Sequence, residues 1–296
     1  MTSPGGTIRY AAPAPELAEL ITGYQVYAAH GWCGERRTER LLPGVANVRV
    51  ALGAEPVAVR IGSRRFDPIP SVALTGPTTC APQATSGAGV LVAFGVTPLG
   101  WGRLFRHRAD MFADRIVPLA TVAGDALSTA LPTALAATSE DVAATGAALD
   151  RLLAPLMATP GPDEADIRAV TAAVADPAVA TVAELAERTA LPDTRIRRLC
   201  ELYFGIPPKL LLRRARFLRV FLDYVGADGA DGYTGIGAGY HDASHFLRDA
   251  DRFLGTTPRR FIAEANAFLM TSLRARAAAL GASTCVLQPA GAAAPA

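Results

Sequence analysis

The hydrophobic periodicity of this 296-residue chain changes close to Gly102. Before that point, apolar or alternating runs at 49–52, 57–61 and 90–94 are separated by Gly, Pro and Asp turn signals, which is typical of short strands. Beyond it, apolar residues recur at helical spacing, as in the segments 124–138 and 139–157. Strands followed by helices predict an α+β protein with a β-rich N-terminal domain, a helical connector and an all-α C-terminal domain.

The segment 158–162 is the clearest break in the chain, because its sequence Ala-Thr-Pro-Gly-Pro disfavours both helix and strand. We therefore predict a sensor or dimerisation domain with its helical connector over residues 1–158 and a second domain over residues 162–275. Residues 276–296, which end in alanine, glycine and proline, are expected to form a frayed tail. We expect few contacts to cross the boundary.

Membrane proteins and enzymes are disfavoured by what the sequence lacks. It has no apolar run of about 18 residues and no basic N-terminal region before an apolar stretch, so we predict a cytoplasmic protein without membrane contact. The four cysteines form no C-x-x-C pair, which indicates reduced thiols. The N-terminal region has only His30 and His107, and neither a phosphate-binding loop nor a nucleophile elbow occurs. We expect no metal site, no cofactor and no enzymatic activity.

Charge is concentrated in one stretch of a chain whose net charge is only +2. Residues 188–219 contain nine basic and two acidic side chains, whereas 221–251 contain six acidic side chains and one arginine. A positive stretch on a near-neutral protein indicates a polyanionic partner such as DNA. The alternative is a solvated helix face with excess arginine.

Residues 181–205 have the pattern of a helix-turn-helix. Thr181 and Glu184 form a capping box before a short helix, and a proline-containing turn follows at 189–192. A second helix is expected over 193–204, where Gly205 supplies a left-handed stop. An arginine-rich second helix is typical of a major-groove reader. Helical spacing turns its apolar residues inward and leaves outside Thr194, Arg195, Arg197, Arg198 and Glu201.

A second unit follows a long amphipathic helix predicted at 209–225. Its sequence over 239–248 is Gly-Tyr-His-Asp-Ala-Ser-His-Phe-Leu-Arg, and Gly-Thr-Thr-Pro closes it at 255–258. Here the chain resembles the AraC/XylS family of bacterial transcription regulators, whose second unit carries a G-[YF]-x-[DS]-x-S-H-F signature and a G-x-[ST]-P turn. The resemblance covers residues 166–261 and includes the first unit. Several N-terminal motifs, among them Arg-Leu-Leu-Pro-Gly at 40–44, resemble the cupin-like barrel of one subset of that family.

The resemblance implies contacts with DNA bases from the second helix of each unit. In the first unit it points to Thr194, Arg197 and Arg198, with Arg195 beside them. In the second it points to Ala243, Ser244 and Arg248, and because Ala243 offers only a methyl group, base contact there falls mainly on Arg248. Arginine suits guanine because its planar fork donates two parallel hydrogen bonds, and the alternatives for each arginine are a phosphate contact or a solvated side chain. His245 and Phe246 are expected to hold the second reading helix in its bundle.

Phosphate contacts are expected from the long helix, through Lys209, Arg213 and Arg214, with solvated charge as the alternative. Two departures from the family pattern concern the first unit, where Ala190 stands in place of the usual glycine and Pro192 in place of the capping serine. Another is the glycine-rich stretch 233–238, which predicts a marginal second unit, since interior glycines disfavour a helix.

Together these features predict a one-component, sequence-specific DNA-binding transcription regulator that acts by binding and responds to an effector through its N-terminal domain. Its expected partner is double-stranded DNA, and a small-molecule effector, RNA polymerase and a second copy of the chain are further candidates. The alternative is a degenerate regulator that binds a ligand or a protein without strong DNA binding.

Overall fold

The computed structural model describes residues 6–30, 36–138, 140–226, 240, 242–264 and 267–280. Its N-terminal part is built of antiparallel strands and its C-terminal part of helices, so the predicted α+β fold is confirmed. The strands are β1 (Gly6–Ala11), β2 (Ile21–Ala29), β3 (Arg37–Arg40), β4 (Ala46–Leu52), β5 (Ala58–Ile61), β6 (Arg64–Phe66), β7 (Val72–Thr75), β8 (Gln83–Ser86), β9 (Gly89–Val96) and β10 (Ile116–Pro118).

These strands form two sheets and, over the described residues, no closed barrel. One sheet has the order β1-β2-β9-β4-β7-β10 and the other the order β3-β8-β5-β6. The expected cupin-like barrel is therefore corrected to two open sheets. The physical reason is that β1, at the edge of the larger sheet, is covered by helices from later in the chain instead of by another strand.

Eleven α-helices are described. They are α1 (Pro98–Leu104), α2 (Ala120–Ala123), α3 (Asp125–Ala136), α4 (Val142–Leu156), α5 (Glu164–Ala175), α6 (Val182–Thr189), α7 (Asp193–Leu199), α8 (Pro208–Gly226), α9 (Ala243–Leu254), α10 (Pro258–Glu264) and α11 (Ala267–Leu280). Helix α4 packs on β1 and β2 at one edge of the larger sheet, where the Tyr24 hydroxyl donates to Asp150 over 2.6 Å. The predicted connector helices correspond to α3 and α4.

One hydrophobic core crosses the predicted domain boundary. The loop at 158–162 does separate α4 from α5, but buried side chains on both sides of it, from Leu17 and Phe94 to Ile196 and Leu211, form a single cluster. The expectation of few contacts across the boundary was therefore wrong. A second core, built around Phe217, lies under the second helix-turn-helix.

The last helix belongs to the N-terminal sheet as much as to the helical part. Helix α11 packs along β1, where the Tyr10 and Ser272 hydroxyls are 2.6 Å apart. Leu280 is buried, and a Cβ added at Gly23 would come within 3.0 Å of it. Residues 276–280 are thus helical, in contrast to the predicted frayed tail, while the rest of that tail lies outside the described residues.

A buried ion pair joins the two sides of the 158–162 loop. The Arg103 guanidinium donates to both carboxylate oxygens of Glu164, over 2.6 and 2.9 Å, and the Gly161 N–H donates to Glu164 over 2.9 Å. These bonds lower the pKa of Glu164 to about 2, and hydrogen bonding from Arg103 is the largest cause. Because the side chains are only 14% and 10% exposed, solvent screens their charges weakly.

We predict that Glu164→Gln lowers the free energy of unfolding by about 3 kcal/mol at pH 7, because Arg103 keeps a buried charge without its counter-ion. The pKa of Glu164 is lower in the folded than in the unfolded state, so its contribution is complete above about pH 4.5 and disappears as pH falls towards about 2. Urea unfolding between pH 8 and 3 measures both effects. Glu187→Gln, on the exposed face of α6, is the control and should change stability by less than about 0.5 kcal/mol. A constant difference between wild type and Glu164→Gln down to pH 3 would contradict the assignment.

Candidate functional site

The first helix-turn-helix has the local structure that its sequence predicts. The Thr181 side chain accepts the Glu184 N–H, and the Glu184 side chain accepts the Thr181 N–H, which completes the capping box at the start of α6. Ala190 ends α6 in the left-handed region, with φ of 55°. Helix α7 is followed by one π-helical turn, and Gly205 ends that turn in the left-handed region, with φ of 73°. Among the described residues, no side chain caps α7, because its N-cap residue is Pro192.

Three of the predicted reading residues lie on one exposed face of α7. Thr194, Arg197 and Arg198 are exposed, while Ile196 and Leu199 on the opposite side are fully buried. Within the described ranges, neither arginine side chain has a hydrogen bond or an ion pair with another residue. Two guanidinium groups on the first turns of this helix are therefore available to an anionic partner.

Arg195 is placed differently from its neighbours. Its guanidinium is 2.7 Å from an oxygen of Asp163 and 2.6 Å from one of Asp166. The Tyr203 hydroxyl also donates to Asp163, over 2.6 Å, and this bond together with Arg195 lowers the pKa of the Asp163 carboxyl. Arg195 thus fixes α7 against α5, and a contact with DNA would require it to leave two carboxylates.

Helix α9, the second helix of the second unit, begins at a cap that the sequence motif contains. The Asp242 side chain accepts the His245 N–H over 2.7 Å, and Gly255 ends the helix in the left-handed region. Ser244 and Arg248 are exposed one turn apart on the same face. Phe246 is fully buried, as predicted. The His245 ring lies against that of Tyr240, while the glycine-rich stretch before them lies outside the described residues.

A buried carboxylate joins α9 to the long helix α8. Asp249 is fully buried, 2.5 Å from the Arg213 guanidinium and 3.5 Å from that of Arg216, and it accepts the Tyr240 hydroxyl over 2.7 Å. Arg216 also stacks on the Tyr240 ring, 4.8 Å from its centroid. Asp249 therefore faces arginines in the protein interior and not a DNA backbone, and Arg213 has an intramolecular counter-ion.

Arg214 does not fit its predicted role as a phosphate contact. It is 1% exposed, and its guanidinium donates to the backbone carbonyls of Thr78 and Gly44, over 2.7 and 3.1 Å. In this position it connects α8 to the N-terminal domain and offers no surface to a phosphate. Lys209, in contrast, is exposed at the start of α8.

Two further contacts, which sequence reasoning missed, hold the second unit on the N-terminal domain. The Arg40 guanidinium is 2.6 Å from the Glu264 carboxylate of α10, and it lies over the Phe261 ring. The Ala81 N–H donates to the Phe253 carbonyl over 2.7 Å. No local pattern predicts these pairs, because their partners are far apart in the chain.

A cavity of about 180 Å³ lies within the N-terminal domain, between the strands and α11. It is lined by both polar and apolar side chains, and the basic ones are Arg49 from β4 and Arg276 from α11. The aromatic residues that the sequence suggested for an apolar pocket, Phe94, Trp101 and Phe105, are core residues that do not line it. This cavity is the candidate effector site.

The described ranges contain no group of three or more His, Cys, Asp or Glu side chains placed to hold a metal ion. Among the described helices, none is both long and apolar enough to cross a membrane.

No protein-family model matches the chain, and no curated protein matches it. Solved structures similar to it include ToxT from Vibrio cholerae, with 9% identity, a TM-score of 0.46 and coverage of 78% of this chain and 98% of ToxT. ToxT with a bound unsaturated fatty acid has 8% identity and a TM-score of 0.43, covering 90% and 98% of the two chains. The AraC-like transcriptional activator CuxR has 12% identity and a TM-score of 0.25, covering 73% and 86%. At these TM-scores the functional case rests on this chain's own residues.

We predict that Ala190→Gly stabilises the protein by about 0.5–1 kcal/mol. An alanine in the left-handed region costs roughly 1–2 kcal/mol, and the larger conformational freedom of glycine in the unfolded chain offsets part of the gain. Urea unfolding measures the difference, and the slope of the transition should not change. Ala186→Gly in the middle of α6 is the matched control and should destabilise by about 1 kcal/mol. A loss of stability for both variants would show that Ala190 is not strained.

Proposed function

We propose that this protein is a sequence-specific DNA-binding transcription regulator of the one-component type, which acts by binding and not by catalysis. The observation that carries the proposal is the exposed face of α7, where Thr194, Arg197 and Arg198 lie together on the second helix of a helix-turn-helix. Helix α9 repeats the arrangement with Ser244 and Arg248. Two such helices connected by one long helix suit a protein that reads two adjacent segments of the major groove.

The residues divide into two roles in this proposal. Arg197 and Arg198 donate to guanine edges in the major groove, with Thr194 beside them. Lys209 contacts the phosphate backbone and sets the position of the helix on the duplex. Arg195 and Arg213 act indirectly, because their carboxylate partners hold α7 and α9 in place.

Effector binding is transmitted to the DNA-binding part through α11. This helix covers the candidate effector cavity and lies only a few residues after α10, whose Glu264 holds the second unit against Arg40. A ligand in the cavity would therefore contact a segment close in the chain to the second unit. RNA polymerase and a second copy of the chain are proposed as further partners.

The alternative is a ligand- or protein-binding module without strong DNA binding. The observation in its favour is Asp249, which occupies two arginines of the basic stretch. DNA binding by the purified full-length chain separates the two functions.

We predict salt-sensitive binding of the DNA upstream of the protein's own gene, measured by fluorescence anisotropy. The logarithm of the binding constant should fall with the logarithm of salt concentration by roughly 0.9 per phosphate neutralised. Arg198→Ala should weaken binding by about 1–3 kcal/mol and relax the preference at one base pair. Arg151→Ala, on an exposed position of α4, is the control and should leave affinity unchanged. Binding that is absent or independent of salt would favour the ligand- or protein-binding module.

The two reading helices should contribute unequally. Arg248→Ala should weaken binding less than Arg198→Ala and change sequence preference less. Exposed Asp242 at the start of α9 and exposed Asp251, three residues after Arg248, place negative charge on this helix that repels phosphates. Both variants are compared on one DNA fragment at one salt concentration. A greater loss for Arg248→Ala would assign the dominant reading role to α9.

A further inference from the structure

We propose that the cavity between the N-terminal strands and α11 binds a small hydroxy-substituted monocarboxylic acid, whose carboxylate pairs with Arg49 and Arg276 and whose hydroxyl donates to Asn47. The inference rests on the proposed function only in that this ligand would be the effector. The cavity has a volume of about 180 Å³.

The size of the cavity limits the ligand to a single ring or a short chain. An engineered apolar cavity of about 150 Å³ in another protein accommodates benzene. The cavity in this protein therefore has room for a benzene-sized ring that carries a carboxylate and a hydroxyl, and for little more. Part of the wall is suitably apolar, with Leu41, Val45 and Val59 on one side and Leu269 and Leu273 of α11 on the other. A long-chain fatty acid would exceed the available space.

The charge of the wall selects an anion. Arg49 lines the cavity, and over the described part of the chain no residue forms a hydrogen bond with its guanidinium. Burial lowers the pKa of Arg49, opposed by the charge of Glu39, and burial raises the pKa of Glu39 to about 7. Glu39 is thus an incomplete counter-ion at neutral pH. A ligand carboxylate can accept two parallel bonds from the guanidinium fork, which neutralises a charge that is costly to leave desolvated.

Arg276 contributes a second positive charge from α11, the opposite wall of the cavity. It interacts electrostatically with Tyr10, whose hydroxyl is bonded to Ser272 of the same helix. A carboxylate between Arg49 and Arg276 would therefore connect a strand of the sensor domain to the last helix.

The ligand needs a hydroxyl group because of Asn47, which precedes Arg49 by two residues on the same strand. Strand periodicity places both side chains on one face of β4, and both line the cavity. The Asn47 side-chain oxygen is buried, and none of the residues that the structure describes donates a hydrogen bond to it. A buried acceptor without a donor is unfavourable, so a ligand with a hydroxyl group is preferred over one without.

The experiment measures binding to the full-length protein by titration calorimetry. The probes are sodium 4-hydroxybenzoate, sodium 3-hydroxybenzoate and sodium benzoate, together with methyl 4-hydroxybenzoate, palmitoleate and inorganic phosphate. At least one hydroxybenzoate should bind roughly tenfold more tightly than benzoate. The neutral ester should bind more weakly than the corresponding acid, by roughly tenfold or more. Binding of phosphate or palmitoleate in preference to every hydroxybenzoate would overturn the ligand class, and so would equal binding of acid and ester.

Variants locate the binding site. Arg49→Met and Arg276→Met remove a charge from opposite walls, and each should weaken hydroxybenzoate binding roughly tenfold or more. Asn47→Leu should remove the preference for hydroxybenzoate over benzoate while benzoate binding persists. Arg151→Met on α4 is the matched control and should bind like wild type. If Arg49→Met fails to fold, Arg276→Met decides, and unchanged affinity in that variant overturns the proposal.

DNA binding is measured separately, without ligand. A protein that binds hydroxybenzoate but no DNA contradicts the regulator and retains the cavity assignment. A protein that binds DNA but none of the carboxylates contradicts the cavity assignment alone.

Discussion

A buried arginine at the middle of one helix determines how the two halves of this protein are joined. Arg214 lies in α8 and donates to the carbonyls of Gly44 and Thr78 in the N-terminal domain. A guanidinium that is 1% exposed must be hydrogen-bonded, so the helix and both loops have to be in position together. The buried apolar residues of α8 up to Ala215, such as Leu211, belong to the large core, and those from Phe217 onward belong to the second core. Arg214 therefore lies where the two cores meet.

The local structure of both helix-turn-helix units was predictable because short-range interactions specify it. The capping box at Thr181, the left-handed stops at Gly205 and Gly255 and the Asp242 cap each involve residues at most a few positions apart. The roles of Arg195 and Arg40 were not predictable, since their carboxylate partners come from distant parts of the chain. Sequence spacing alone cannot indicate which carboxylate a long side chain reaches.

Periodicity could have prevented one wrong prediction and identified one buried carboxylate that the sequence analysis passed over. Arg214 stands three residues after Leu211 and four before Leu218, which places it on the buried stripe of α8. Asp249 has the same relation to Phe246 and Phe253 on α9. A charged residue at a core position of an otherwise consistent stripe predicts an internal partner. The cavity had no comparable signal, because the helix that covers Asn47 and Arg49 comes from the other end of the chain.

Most basic side chains of the stretch 188–219 have partners within the protein, which reduces the positive charge available to DNA. Six of its nine basic side chains are bonded within the described structure: Arg188, Arg195, Arg213 and Arg216 with carboxylates, and Arg214 and Arg219 with backbone carbonyls. Over the same described residues, Arg197, Arg198 and Lys209 have no such bond. The local charge count therefore overstates the field that a DNA backbone would meet. Because affinity without sequence preference depends on the number of phosphates neutralised, a protein with few unpaired cations gains comparatively more from base contacts. Within the proposed function, the internal ion pairs of the stretch therefore support a reader of sequence over a general polyanion binder.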